Sequence, residues 1–421
     1  MSLATPLNFN YSQLPQSIAA SKKTRRFQPE NSSSFSPNTT SVIRIPIRDM
    51  AYLDGTNSYL KFTVTNGDTV ASLALDPNAS AVISRVRVLV GGVVAEDVER
   101  VNVLVNLLTQ AQGSEDYNKT LQIVSGQSIA DQDDTNLLVG SSISPGGSKT
   151  LCIPVFSGLL NCGKYLPLGL FQSNSLTLEL YLESTNSVGV WDQPPTASYT
   201  VSNVEYIASL IEIHDDQVNN VLKAKLMNDG LEFHGSTYTA HINSMSAGTG
   251  ASINIPERCK SLKGLMTAVR PNSSIGASAH ASLQTRYPHT TAGEDFSWYY
   301  RIGAENMPQV AVGSSSESFL EFQKAYNHLF SLDQSTYANY SRWNTAFASN
   351  VNAGCFNMAI STESFGHTGS MESGLDTATS AMPISLQISQ MLTNDVSEVV
   401  TYAYKDIIWR FDPTGRFEVS L

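Results

Sequence analysis

Ile153-Pro154-Val155-Phe156-Ser157-Gly158-Leu159-Leu160-Asn161-Cys162-Gly163-Lys164-Tyr165-Leu166-Pro167-Leu168, followed closely by Ser175-Leu176-Thr177-Leu178-Glu179-Leu180-Tyr181-Leu182-Glu183, reads as a broken apolar segment feeding a strand. In the second piece Leu176, Leu178, Leu180 and Leu182 share one face. Thr177, Glu179, Tyr181 and Glu183 take the other, the period of two of a half-buried strand. The first piece is apolar, interrupted by Pro154, Gly158, Gly163 and Pro167, with Lys164 as its one charge. Such a stretch has to lie against its own core or against a neighbouring subunit. Leu159, Leu160, Lys164, Tyr165 and Leu166 are therefore candidate subunit-interface residues.

The same alternation recurs on both sides of this segment. Upstream, strands are predicted from Thr40 to Arg48, from Tyr59 to Val64 and from Val82 to Val90, the last closed by Gly91-Gly92. Downstream, Tyr199 to Ile213 alternates imperfectly around Val201 and Val204, as a bulge would make it. Val94, Val98, Val101, Leu104, Val105 and Leu108 recur instead at helical spacing, with Glu96, Asp97 and Glu99 loading the first turns. That pattern predicts a helix of about 16–18 residues ending near Gly113. Beyond residue 230 the style repeats without readable internal identity. Strands are predicted at 234–242, 251–256, 262–269, 282–288, 296–302, 354–361, 383–392 and 399–411, with an amphipathic helix at 316–331.

Each half thus holds about eight strands and one main helix. This implies an all-β chain of two consecutive eight-stranded antiparallel jelly-roll sandwiches with a few short helices. The expected division is an N-terminal arm at 1–41, a first jelly roll at 42–214, a helical connector at 215–230 and a second jelly roll at 231–421.

At 421 residues the chain has ample core for two such domains. Charged residues make up 15%, against about 25% in ordinary soluble domains, so hydroxyl and amide groups dominate the surface. A surface of that kind suits extensive subunit contacts, where charge is costly to desolvate. The net charge of −11 argues against nucleic acid as the main partner of the folded body. The distribution is uneven, because Lys22, Lys23, Arg25 and Arg26 face only Glu30 within residues 1–41. They are candidate inner-face contacts for phosphates or anionic lipid, weighed against a merely solvated patch.

Catalytic chemistry finds no foothold. No GxSxG, P-loop or HExxH motif occurs, and the cysteines Cys152, Cys162, Cys259 and Cys355 lack metal-ligand spacing. His234 and His241 point to opposite faces of one strand, and Glu294-Asp295 diverge likewise. Trp298-Tyr299-Tyr300 and Trp343 are read as packing aromatics before stacking platforms. No catalytic residue, cofactor or metal ligand is expected. The absence of a charged-then-apolar leader and of a long apolar run predicts a soluble protein made in the host cytoplasm or nucleus.

Four pieces, in order, resemble the double jelly-roll major capsid proteins of icosahedral DNA viruses, of the virophage, polinton-like and adintovirus-type lineage. They are Ser157-Gly158-Leu159-Leu160 with Lys164-Tyr165-Leu166-Pro167-Leu168 and the Leu176 strand; Val204-Glu205-Tyr206 leading to Ile211-Glu212-Ile213; Phe319-Leu320-Glu321-Phe322 with Lys324-Ala325-Tyr326; and Ser373-Gly374-Leu375-Asp376-Thr377 before Ile384-Ser385-Leu386-Gln387-Ile388. The resemblance implies a non-enzymatic structural protein of the virion. It implies homotrimers whose six sandwiches form a pseudo-hexagonal tile, contacts between tiles, minor capsid or penton partners, and an arm near the genome or an internal membrane. The alternatives are a minor or penton protein, a single-jelly-roll RNA-virus capsid protein, and a carbohydrate-binding β-sandwich.

Overall fold

The computed structural model describes residues 19–75, 78–111, 120–121, 123–126, 142–171, 175–214, 216–246, 250–271, 296–330, 338, 343, 356–364, 374–379, 381–389, 397–412 and 416–420. The first half supplies β1 (Ala20–Phe27), β2 (Val42–Ile47), β3 (Tyr52–Thr65), β4 (Ile83–Val90), β5 (Val93–Glu99), α1 (Val101–Ala111), β6 (Ser148–Ile153), β7 (Leu176–Leu182) and β8 (Thr200–Ile213). After α2 (Asp216–Asp229) the second supplies β9 (Leu231–Met245), β10 (Ala251–Ile255), β11 (Leu262–Pro271), β12 (Trp298–Ile302), β13 (Glu305–Val312), α3 (Ser315–Phe330), β14 (Met358–Ser361), β15 (Ile384–Ile388) and β16 (Ser397–Phe411).

Pairing follows one rule twice. In the first half the sheets run β1-β8-β3-β6 and β2-β7-β4-β5; in the second, β9-β16-β11-β14 and β10-β15-β12-β13. Every pairing in these ladders is antiparallel. Strand n of the first half and strand n + 8 of the second therefore hold the same place. Two complete jelly rolls follow one another in the chain, each with its main helix between its fifth and sixth strands.

The alternation in β7 does what it predicts. Leu176, Leu178 and Leu180 are buried between the sheets, each burial worth roughly 1.5–3 kcal/mol. Glu179 on the opposite face is held by Arg44 of β2 at 2.7 Å. The imperfect alternation of β8 is a bulge: its register against β3 slips between Ser202 and Glu205, and Asn203 sits at φ +50°. Gly91 and Gly92 form the two-residue link between β4 and β5, both at positive φ, which hairpin twist demands and side chains resist.

Two expectations are corrected. The first jelly roll does not begin at 42, since Ala20–Phe27 forms its first strand, paired along its whole length with Tyr206–Ile213. The helix expected from Val94 onward is two elements: Val93–Glu99 is a strand, Arg100 turns the chain at φ +51°, and only Val101–Ala111 is helical. Val98 and Val101 keep helical spacing because strand and helix both face the core across that turn, and the exposed Val94 extends the pattern only by coincidence. Glu305–Val312, to which no element is assigned from the sequence, is a strand. The predicted strand at 282–288 lies outside the described residues.

Candidate functional site

The two jelly rolls meet along a seam, and its anchor is Glu96. Within β5, Asp97 faces outward, where Arg85 and Arg87 hold it at 2.6 and 3.2 Å. The pleat turns its neighbour Glu96 the other way, into the seam, where only 4% of it remains exposed. Its carboxylate accepts from Ser157 Oγ at 2.5 Å, the Gly158 N–H at 2.8 Å and the Leu159 N–H at 3.4 Å. Thr237 Oγ1, from β9 of the second jelly roll, donates at 2.7 Å. Burial pushes the Glu96 carboxyl above its ordinary value, with these four donors pulling the other way.

The chain can come so close only at a glycine. A Cβ on Gly158 would sit 2.1 Å from the Ser236 carbonyl oxygen of the second jelly roll. Beside it, Trp409 of β16 is fully buried and donates its indole N–H to the Ala95 carbonyl at 2.8 Å. Phe156 meets Tyr238 at 5.5 Å between ring centres, and Tyr238 stacks on Tyr404 at 4.7 Å. At the far end Arg100 reaches Glu398 at 3.1 Å and Glu183 at 3.5 Å, Asn102 donates to Glu183, and the Tyr402 hydroxyl donates to the Arg100 carbonyl. Apolar and polar contacts thus join the halves into one core.

The segment 153–168 divides. Leu159, Leu160 and Leu166 are 1–2% exposed, buried in the chain's own core and seam. They are not subunit-interface residues, because their surface is already covered within one chain. Tyr165 is 58% exposed and Lys164 is exposed, so these two stay available to a neighbour. Lys164→Ala is expected to leave thermal stability within about 0.5 kcal/mol of the parent, as for surface substitutions generally; a larger loss would mean that Lys164 has an intrachain role.

The basic cluster is not on an arm. Lys22, Lys23, Arg25 and Arg26 lie on β1, and each faces a carboxylate of its own sandwich. Lys22 is 4.0 Å from Asp54, Lys23 contacts Glu212 and Asp49, Arg25 meets Asp49 at 2.6 Å and Arg26 meets Glu205 at 3.3 Å. Burial works to raise the Asp49 carboxyl, but the Arg25 hydrogen bond, the Ala51 N–H and the nearby Lys23 outweigh it and hold Asp49 below its ordinary value.

The other chemically suggestive residues are structural. His241 and Lys405 share the Glu257 carboxylate at 3.0 and 2.9 Å. Glu363 pairs with Lys263 at 3.1 Å, and Asp376 caps its own turn through Ala378 and Thr379. Trp298, Tyr300 and Trp343 are core residues. Glu294-Asp295 and Cys355 lie outside the described residues. Among the described residues no group of three or more His, Cys, Asp or Glu side chains gathers as metal ligands would, and no described helix is long and apolar enough to cross a membrane. A cavity of about 360 Å³ under α1, lined by Leu60, Ile83, Val86, Val105 and Phe156, carries no charged side chain in its wall.

No family profile and no curated protein sequence matches the chain. Solved structures do. The PBCV-1 VP54 chain fitted into a reconstruction of the virophage Sputnik superposes with a TM-score of 0.62 at 10% identity, over 98% of this chain and 99% of that one. The Faustovirus major capsid protein gives 0.59 at 8% identity over 96% and 92%. The Sputnik virophage structure gives 0.56 at 11% identity over 100% and 93%. At such identities the shared property is the fold, here a double jelly roll along nearly the entire length of each chain.

Proposed function

We propose that this chain is a major capsid protein, a non-enzymatic building block of an icosahedral virus shell. The observation that carries the reading is the doubled jelly roll itself, fused at a buried seam and matched over nearly its full length by solved structures that include a PBCV-1 virus capsid and the Faustovirus major capsid protein. The seam supports a mechanical role. The buried groups around Glu96 and Trp409 fix one sandwich against the other, and they offer no exposed acid–base pair to a substrate. Two sandwiches per chain give six in a homotrimer, enough for a pseudo-hexagonal tile. Tile-to-tile contacts would then close the shell, with minor capsid or penton proteins at its vertices and the virion as the protein's location. The low charge content favours such contacts, because few side chains need desolvation.

The reading predicts a stable three-chain species in solution, or closed particles, when the purified protein is examined by native mass spectrometry. A monodisperse single chain at every concentration and ionic strength tried would overturn it.

A further inference from the structure

The doubled fold carries its own comparison. α1 and α3 hold the same place, each between the fifth and sixth strands of its jelly roll. Under α3 the space between the sheets is packed with rings. Trp298 and Tyr300 of β12 are fully buried there, and the Tyr300 hydroxyl reaches Thr267 of the facing sheet at 2.7 Å. Phe322 of α3 lies 4.7 Å from Tyr326 and 5.1 Å from Trp343 between ring centres. Under α1 the corresponding walls are short and aliphatic, with Ile83 and Val86 on β4 and Val101 and Val105 on α1. Together with Leu60 of the facing sheet they enclose the cavity of about 360 Å³. Native interiors hold few voids larger than a water molecule, and an apolar cavity of about 150 Å³ already takes benzene.

We infer that this cavity binds one straight-chain alcohol, with the alkyl body between the sheets and the hydroxyl at the mouth. Size sets the body: scaled from benzene in about 150 Å³, the space suits roughly ten carbons. The wall sets the charge. No charged side chain lines it, so a carboxylate or ammonium head would be desolvated without a partner. Two hydroxyls in the wall set the polarity of the head. Thr109 Oγ1 donates to the Val105 carbonyl at 2.7 Å, and Ser125 Oγ donates to the Leu121 carbonyl at 3.0 Å. Each has committed its proton and keeps only lone pairs, so the polar end of the ligand has to be a donor. A hydroxyl meets that need, and an ester or ketone does not. The mouth lies at Val124, a wall residue that is 51% exposed beside the buried Ser125. The inference is independent of the capsid reading, because these wall residues all belong to one jelly roll of one chain.

The test uses the full chain with 1-decanol, decanoate at pH 8 and decane as probes. Decanol is expected to bind one to one in isothermal titration calorimetry. At a hundred times its dissociation constant it is expected to raise the melting temperature by roughly 5 °C. Decanoate is expected to leave the melting temperature unmoved, and decane to raise it less than decanol does. Val105→Phe brings into this wall the kind of ring that α3 supplies in the second jelly roll. It is expected to keep the parent's circular dichroism and to weaken decanol binding by more than about tenfold, because the space is already filled. A decanol analogue with a diazirine on its alkyl chain, photolysed on the parent, is expected to label peptides that hold Val86, Val105 or Leu180. This readout stands even where Val105→Phe fails to fold. The assignment is overturned by a melting temperature that no decanol concentration moves, which is also the result expected if the chain itself fills the space. It is equally overturned by binding that survives in a folded Val105→Phe, by decanoate binding as well as decanol, or by labels confined to other peptides.

Discussion

Glu96→Ala is expected to destabilise the chain by about 4 kcal/mol. The hydroxyls of Ser157 and Thr237 can rotate toward other acceptors, but the N–H groups of Gly158 and Leu159 are fixed by the backbone. Leaving two such donors buried without an acceptor costs roughly 1–3 kcal/mol each. Because the carboxylate joins β5 to the 157–159 turn and to β9, the loss falls on the seam itself. Differential scanning calorimetry is expected to show one transition for the parent and two for the variant, as the sandwiches begin to unfold separately. Glu96→Gln separates charge from shape. Burial holds the Glu96 carboxyl above its ordinary value of 4.5, so the folded chain binds this proton more readily than the unfolded one. The resulting stabilisation is full below pH 4.5 and is lost as pH rises through the raised folded value. The stability of the parent relative to Glu96→Gln should accordingly rise on going from pH 7 toward pH 4.5. A gap that stays constant, or a Glu96→Ala variant within 1 kcal/mol of the parent, would refute the clamp.

The sequence made the sandwiches legible where strands bury one face and wet the other. Leu176 to Leu182, Val82 to Val90 and Ile384 to Ile388 announce themselves by alternation, and even the slip at Val201–Val204 predicts the bulge found at Asn203. Three strands escaped, β1, β5 and β13, and the last two are both fifth strands. The reason is physical. β5 is an edge strand that packs sideways against the other jelly roll, so it has no single wet face and its polar residues no longer mark the solvent side. In β5 Glu96 is buried beside Ala95 and Val98 while Val93 is exposed, the reverse of what residue type leads a reader to expect. In β13, Pro308 and the polar run Glu305-Asn306 suggest a loop unless the partner strand β12 is in view. The seam was invisible for the same reason: Glu96 read as a helix-starting acid, and Ser157-Gly158 as a break in an apolar run. Their meeting with Thr237 spans 141 residues of chain, a distance no local pattern carries. The basic cluster was legible as charge but misplaced, because Lys22 to Arg26 gives a strand no apolar face to display. β1 is held by its backbone ladder with β8 and by the carboxylates around it.

Trp409→Ala is expected to cost about 4–5 kcal/mol, the upper part of the range for deleting a buried aromatic. The indole is fully buried and is packed so closely on Gly235 that a Cβ there would lie 2.8 Å from the ring. Its N–H satisfies the Ala95 carbonyl, one residue from Glu96. Removing it opens a void at the junction of both sandwiches and strands that carbonyl. Trp409→Phe keeps most of the ring volume and loses only the hydrogen bond, so it should cost about 1–2 kcal/mol. Urea denaturation followed by circular dichroism measures both values, and equal losses in the two variants would show that the hydrogen bond, and not the packing, is what Trp409 contributes. The consequence for assembly follows from geometry. A ring closes only if the angle between sandwiches inside a chain matches the angle between chains. The void left by Trp409→Ala loosens the first angle without touching the chain's outer surface. That variant should still associate but give a spread of open oligomers, while Trp409→Phe gives the three-chain species. A single sharp trimer from Trp409→Ala would show that contacts between chains set the angle, and that the seam follows them.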